Sequence, residues 1–300
     1  MPPRPKVSVV IPTYNAQDFI LEQLDALMAG SRLPDEIIVS NNGSRDQTLA
    51  LLEAYQLSCP RLRIVDSSAQ QGVNYARNLG VAAALGQYIL ICDADDRVER
   101  DWLERMAAGL EEADLVGSGH RKLVYEPETA SYRLGELVTD QPEVLAGKPY
   151  LLGASMGFRR EVFDTISGFD CSYRGGHDEV DFCLRALRAG YQMEWIPAAL
   201  IAYRQRPHQA SRGRQIRSYG RTWIQLGQNF SEDFRGQQPP VRRLVRQLAG
   251  AAAPLISRRA DEGDYQGFWW NLGRLEGALR YQVLRQQPAR QLYDPYEAEN

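Results

Sequence analysis

Two clusters of carboxylates offer chemistry. Asp93, Asp95 and Asp96 fill three of four consecutive positions, and Asp178, Glu179 and Asp181 do the same. Carboxylates so close together repel one another unless a cation sits among them. Their hard oxygens suit Mg²⁺ or Mn²⁺, ions that in turn bind diphosphate. The first cluster also suits a second role, as an N-terminal cap ahead of a helix near Asp101-Trp102-Leu103. The second cluster follows the Gly-rich stretch Arg174-Gly-Gly-His177, and from it Val180, Cys183, Leu184 and Leu187 recur at i, i+3, i+4 and i+7. That is the pattern of a helix with one buried face, so its acids fall in the first turn. There they either complement the helix dipole, with Asp181 pairing to Arg185, or provide a general base at a rigid helix end. Position alone leaves both roles open.

The elements that must hold these acids follow from apolar periodicity. Lys6-Val-Ser-Val-Val-Ile11 is a β-rich run stopped by Pro12, after which Ile20, Leu24, Leu27 and Met28 keep helical spacing. The alternation repeats: a strand at 36–40 precedes a helix around 46–57, 62–65 precedes 74–85, and 88–92 precedes 101–110. Repeated strand and helix units with apolar strands predict an α/β fold, a mostly parallel central sheet flanked by helices. Such sheets bind ligands beyond the carboxyl ends of their strands. The polar residues just after each strand are therefore the candidates: Thr13-Tyr14-Asn15, Asn41-Asn42-Gly43-Ser44 and Asp93-Ala94-Asp95-Asp96.

Three relatives of this architecture are excluded by their missing motifs. Pro-Thr-Tyr-Asn after the first strand lacks the GxGxxG of a dinucleotide site, and the chain has neither a Walker A sequence nor a GxSxG after a strand. At 44% hydrophobic and 24% charged over 300 residues the composition is that of a soluble globular protein. No apolar run reaches the roughly 20 residues of a membrane span. Met1-Pro-Pro-Arg-Pro-Lys6 enters the first strand without the apolar stretch of a signal peptide, so a cytoplasmic location is expected. Cys59, Cys92, Cys171 and Cys183 lack metal-ligand spacing and read as free thiols in a reducing compartment. His120 and His177 receive no role.

Taken in order, these segments resemble the family 2 glycosyltransferases of the GT-A fold. Val7-Ser-Val-Val-Ile-Pro-Thr-Tyr-Asn15 resembles the family's opening strand, and Asn41-Asn-Gly-Ser-Arg-Asp46 is similar to its Asp-Asp-Gly-Ser-Thr-Asp turn. Gly72 through Ala76-Arg-Asn78 matches its Gly...Ala-Arg-Asn helix, and Asp93-Ala-Asp-Asp96 its DxD. Gly168-Phe-Asp170, then Asp178-Glu-Val-Asp181 and Arg185, resembles the stretch carrying its catalytic Glu-Asp pair. The resemblance covers roughly residues 6–206, with a donor-binding half to about 96 and an acceptor and base half from about 97.

The resemblance implies an inverting, Mn²⁺- or Mg²⁺-dependent transferase moving a sugar from a nucleotide diphosphate donor to a glycan or lipid-linked acceptor. Pro12, Thr13, Tyr14, Asn15, Asn42, Ser44, Arg77, Asp93, Ala94 and Asp95 would bind the donor. Asp95, with Asp93, would hold the metal. Gly153, Ala154, Ser155 and Met156 would face the donor sugar and acceptor, although small residues there also permit tight packing. Glu179 takes the base position, with Asp178 beside it, in an order reversed from the family's Glu-Asp. Two further departures matter. Asn41-Asn42 replaces an acidic pair, and a neutral amide reading uracil or thymine favours UDP or dTDP. Ala202 stands where the family often has a metal-contacting His, with His208 close by.

Residues 1–200 carry 19 Lys and Arg against 29 Asp and Glu, whereas residues 201–300 carry 16 against 9, and only three of the 35 cations are lysines. The 207–300 region thus reads as an Arg-rich helical extension, broken by Gly236-Gln-Gln-Pro-Pro240 and interrupted at Pro254. It either packs on the catalytic domain or a second copy, or lies on anionic lipid at the inner membrane face. A nucleic-acid surface is disfavoured. The tail from Tyr293 is expected to lack order. The alternative to an enzyme is a catalytically inactive scaffold that binds nucleotide sugars, motivated by the departures just named.

Overall fold

In the computed structural model, which describes residues 4–144, 147–205, 209–257 and 261–294, every residue of strand β1 (Val7–Thr13) is buried. The chain forms two units, one of Met1–Phe169, Phe182–Gln205 and Leu292–Asn300, the other of Asp170–Asp181 and Arg206–Gln291. In the first unit β1 is followed by α1 (Ile20–Met28), β2 (Glu36–Asn41), α2 (Thr48–Gln56), β3 (Leu62–Asp66), α3 (Val73–Ala83) and β4 (Tyr88–Cys92). Then come β5 (Arg97–Val98), α4 (Trp102–Glu112), β6 (Leu115–Glu126), β7 (Ser131–Val138), the two-residue pair β8 (Glu143–Val144) and β9 (Lys148–Pro149), β10 (Ser155–Arg159) and α5 (Arg160–Ile166). Helix α6 (Asp178–Arg188) starts in the second unit and continues into the first, where β11 (Met193–Arg204) follows.

The large sheet runs β3-β2-β1-β4-β10-β6-β11-β5, with β7 added against β6. Its first four strands are parallel, as the repeating pattern predicts. Strand β10 then runs antiparallel to both β4 and β6, and β11 parallel to β6. Pro12 does not stop β1. The strand continues to Thr13 in register with β2, while its pairing with β4 ends at Val10. Proline's missing N–H therefore falls where the strand has a free edge, the one place a sheet tolerates it.

Alternation along β1 fills two cores. Val7, Val9 and Ile11 face Ile20, Leu24 and Leu27 of α1 and Trp102, Met106 and Leu110 of α4. Val10 faces Val81 of α3 and the phenylalanines 158, 163, 169 and 182. Each fully buried side chain of this size contributes about 1.5–3 kcal/mol. Phe182 stacks on Phe169 at 4.4 Å and meets Phe158 at 5.0 Å, anchoring α6 from its second turn. None of the four cysteines is in a disulfide, and three of them are buried.

The second unit contains α7 (Gln209–Asn229), α8 (Val241–Ile256), α9 (Glu262–Ala278) and a π-helical turn at Leu279–Val283. Pro254 does not interrupt α8 but sits in its last turn, so any bend from its missing N–H reaches only the two residues that follow. Asp261 and Asp264 form a reciprocal capping box at the start of α9. Arg274 lies 5.0 Å from the Trp223 ring and 5.9 Å from that of Trp270, and Arg217 grips Glu276. Several arginines of this basic region are thus spent on its own packing. Tyr293, expected to lack order, donates its N–H to Ser167 O at 2.9 Å and packs 5.5 Å from Phe163. No helix among the described residues is long and apolar enough to cross a membrane.

Helices α7 and α9 approach through glycines. A Cβ on Gly273 would lie 1.9 Å from the Arg217 carbonyl oxygen, and one on Gly220 2.3 Å from that of Trp270. Gly250, inside α8, has open space around it. Gly273→Ala is therefore expected to destabilise by about 1–3 kcal/mol through overpacking, whereas Gly250→Ala should stabilise by about 0.5–1 kcal/mol. Chemical denaturation of the two variants checks the contrast.

Candidate active site

At the carboxyl ends of β1 and β2 lies a cleft of about 290 Å³. Pro12, Thr13 and Tyr14 form one wall, Asn42 the floor after β2, and Gln71, Gly72, Val73 and Ala76 the side at the start of α3. Tyr14 is half exposed and Thr13 is buried, its hydroxyl donating to Ile11 O at 3.1 Å. Asn15 and Ser44 hold two loops together: Ser44 Oγ accepts the Asn15 N–H at 3.0 Å, and Asn15 Oδ1 accepts that of Arg45 at 2.8 Å. Asn15 adopts a left-handed φ of 50°, a conformation its short polar side chain tolerates.

Asn42 lines the cleft, yet its amide is spent on the protein. Its NH₂ donates to Ser67 O and, at 2.8 Å, to Gln70 O, while its Oδ1 accepts the Gly72 N–H at 2.8 Å. A carboxylate at 42 would face two carbonyl oxygens, so the amide is required to build the loop leading into α3. The inference from a neutral residue here to a uracil or thymine base loses its premise.

The acidic turn after β4 is gathered by three side chains from distant elements. Gln23 of α1, fully buried, donates to Asp93 O at 3.0 Å and accepts the Val98 N–H at 3.0 Å. Arg77 of α3 places its guanidinium 3.6 Å from Asp93 Oδ1 and donates to Gly153 O at 3.2 Å. A Cβ on Gly153 would come within 2.7 Å of that guanidinium, so glycine there makes room for Arg77. Arg204, at the end of β11, donates to Asp95 O and to Glu22 at 2.8 Å, and its backbone N–H donates to Asp96 Oδ1 at 2.7 Å. Its guanidinium lies 4.4 Å from the Phe19 ring and 4.9 Å from that of Tyr132. Burial first, then the charges of Asp95 and Asp93, push the Asp96 carboxyl well above the usual range.

This geometry corrects two expectations. The acidic turn does not cap α4, because β5 and several further residues intervene before Trp102. Ser155 and Met156 belong to β10 and are buried: Ser155 Oγ accepts from Trp102 Nε1 at 2.7 Å, and Met156 joins the core. Tight packing is their role. Neither Gln23 nor Arg204 was foreseen from the sequence, nor was Asn78, which both donates to Phe169 O and accepts its N–H at 2.8 Å. Asn78 had a signal, as the last residue of the Ala-Arg-Asn motif.

A divalent ion can be judged against the donors present. Among the described residues no three His, Cys, Asp or Glu side chains form a metal cage. Ala202 is buried beside β5, and His208 lies outside the described residues. Asp93 and Asp95 are partly exposed hard-oxygen donors on one turn. They fit an ion that completes its shell with diphosphate and water.

The second acid cluster is built within the second unit. Gly175 (φ 93°), Gly176 (φ 131°) and His177 (φ 62°) turn the chain into α6. Glycine is needed at both positions, since a Cβ would come 2.3 Å from Ser218 Oγ at 175 and 2.2 Å from the Tyr219 ring at 176. Asp178 is buried and Glu179 partly exposed in the first turn of α6. His177 Nδ1 lies 2.9 Å from Thr222 Oγ1, which also lies 3.0 Å from Ser218 O. Burial pushes this imidazole down to about 4, against a partial opposing pull from Asp178. The folded state binds this proton less readily than the unfolded chain. Its stability contribution is therefore full above about pH 6.5 and lost as the pH falls toward 4. Relative to His177→Asn, the unsubstituted protein should lose about 2–3 kcal/mol more between pH 7 and pH 4, measured by denaturant titration at each pH.

Comparison with known proteins agrees with this arrangement. The model of "Glycosyl transferase family 2" matches residues 8–167, and that of "Glycosyl transferase family group 2" residues 88–259. The chain is 30% identical to the Bacillus subtilis glycosyltransferase YwdF over 66% of this chain and 74% of that one. It is 29% identical to EpsJ of the same organism, over 68% of this chain and 62% of EpsJ. With the succinoglycan biosynthesis protein ExoO of Rhizobium meliloti it shares 35% over 38% of this chain, and spans only 31% of ExoO. Among solved structures it superposes on Staphylococcus aureus TarS with a TM-score of 0.54 at 19% identity, covering 92% of each chain. The mannosyltransferase PcManGT of Pyrobaculum calidifontis gives 0.57 at 19% identity, over 95% of this chain and 77% of that one. A family model that spans more than half of the chain, joined to a sheet that ends in this cleft and acidic turn, makes the chain a glycosyltransferase of family 2 with the GT-A fold.

Proposed function

We infer that the chain transfers a sugar from a nucleoside diphosphate sugar to an acceptor hydroxyl in polysaccharide or glycan assembly, with inversion at the anomeric carbon. The observation that carries this reading is Arg77, which ties the acidic turn after β4 to the 153 loop from the helix whose first turn lines the cleft. Nucleoside and diphosphate chemistry are thereby offered side by side on one sheet edge. ExoO is named for succinoglycan biosynthesis, and PcManGT was solved with GDP-Man and Mn²⁺.

In this reading the nucleoside lies against Pro12, Thr13 and Tyr14, and the diphosphate extends toward Asp93 and Asp95. A divalent ion held by those two carboxylates supplies neutralisation of the charge on the departing diphosphate. Glu179, with Asp178 beside it, accepts the proton of the acceptor hydroxyl as its oxygen bonds to the anomeric carbon. The bond from that carbon to the diphosphate oxygen breaks, and the nucleoside diphosphate leaves with its electron pair. Arg77 keeps Asp93 oriented from its buried position.

Two measurements test this. In a thermal-shift panel of UDP, dTDP, GDP and CMP, one nucleoside diphosphate should raise the melting temperature, with an increment from Mn²⁺ that Asp95→Ala removes; saturation to 100 times Kd corresponds to about 2.7 kcal/mol. No shift with any nucleotide would sink the reading. Glu179→Gln should lower turnover by about 10²-fold or more while leaving nucleotide binding intact, and full turnover in that variant would reject the base assignment.

A further inference from the structure

Asp170 and Asp181 are both fully buried, eleven positions apart in sequence and both in the second unit. Arg290 Nη1 lies 2.8 Å from Asp181 Oδ1 and 3.4 Å from Asp170 Oδ2. The same stretch of chain is stitched to 170–172 by its backbone. Asp170 Oδ1 accepts the N–H groups of Gln291 and Ser172, each at 2.9 Å, and the Cys171 N–H donates to Gln291 O at 2.8 Å. The Arg290 guanidinium also lies 5.4 Å from the Phe230 ring.

Arg290 brings a positive charge to both buried carboxylates, and Asp181 also sits in the first turn of α6, where the helix dipole favours a negative charge. Like charges in one buried place separate unless a cation holds them. Arg290, 109 positions downstream of Asp181, thus contacts the first turn of α6, the turn that also carries Asp178 and Glu179. Both contacts come from Nη1, so one guanidinium nitrogen bridges the two carboxylates. Displacement of a reacting group by about 1 Å can cost 10²-fold in rate.

We propose that Arg290 is a positioning residue for the acid pair, clamping Asp181 to Asp170 so that the turn bearing Asp178 and Glu179 is held in one place. This rests on the reading of that pair as the proton acceptor.

The test uses full-length Arg290→Met and Arg290→Lys beside Glu179→Gln and Asp178→Asn. Nucleotide binding is read by thermal shift with UDP and GDP plus Mn²⁺. Turnover is read as nucleotide release from UDP-GlcNAc and GDP-mannose, and local order by amide hydrogen exchange. Arg290→Met should bind nucleotide within about 2-fold of the unsubstituted protein and lower kcat by about 10-fold or more. Its amides at 176–182 should exchange at least about 10-fold faster while those of β1 and β4 are unchanged. Arg290→Lys should recover part of both losses. Should Arg290→Met fail to fold, Arg290→Lys alone decides, with a smaller kcat loss and a smaller loosening confined to 176–182. Unchanged exchange at 176–182, or loosened exchange with full kcat, overturns the positioning role while leaving the acid-pair reading intact. Full kcat in both Glu179→Gln and Asp178→Asn overturns the acid-pair reading and the positioning role with it.

Discussion

Three carboxylates within four residues at the end of β4 repel one another, and much of the long-range bonding in the first unit holds them in place. Gln23 clasps the turn from α1, Arg77 meets it from α3 and Arg204 closes it from the end of β11. Each comes from a different part of the chain, and each is buried or nearly so. Asp96 faces inward and takes its hydrogen bond from the Arg204 backbone, which leaves Asp93 and Asp95 as the outward oxygens. The sheet supplies the rigid edge, and the arginines supply the charge that lets an acidic edge exist.

The same physics recurs in the second unit. Asp170 and Asp181 are buried around Arg290, and the loop that leads into α6 is packed so closely on α7 that two successive positions admit only glycine. Three arginines of the last hundred residues do such internal work: Arg217 holds Glu276, Arg274 lies beside two tryptophan rings, and Arg290 serves two aspartates. Arg242, Arg243 and Arg246 of α8, by contrast, stand on its exposed side.

Asn42 and Ser155 are motif residues whose polar groups are taken up by the protein, although Asn42 also lines the cleft. Both stand in motifs, and both are polar residues near strand ends, which is where ligand contacts are sought. Asn42 is occupied by Ser67, Gln70 and Gly72, and Ser155 by Trp102, because a buried polar group must find partners and the nearest ones are protein. Gln23 and Arg204 went unnoticed for the opposite reason. Neither lies in a motif, and their partners are 70 and 109 positions away.

The sequence by itself determined the strand and helix alternation, the parallel first half of the sheet, the placement of the acidic turn at a strand end and the helix that opens on Asp178. These depend on periodicities of two and 3.6 residues and on local turn chemistry, which a linear pattern carries. Only the tertiary structure decided which cation faces which carboxylate, that β1 runs on through Pro12, and that Arg290 closes on Asp170 and Asp181. Those outcomes depend on which charge or missing donor meets which neighbour, for Arg204 and Arg290 across more than a hundred residues, and no local pattern encodes that pairing.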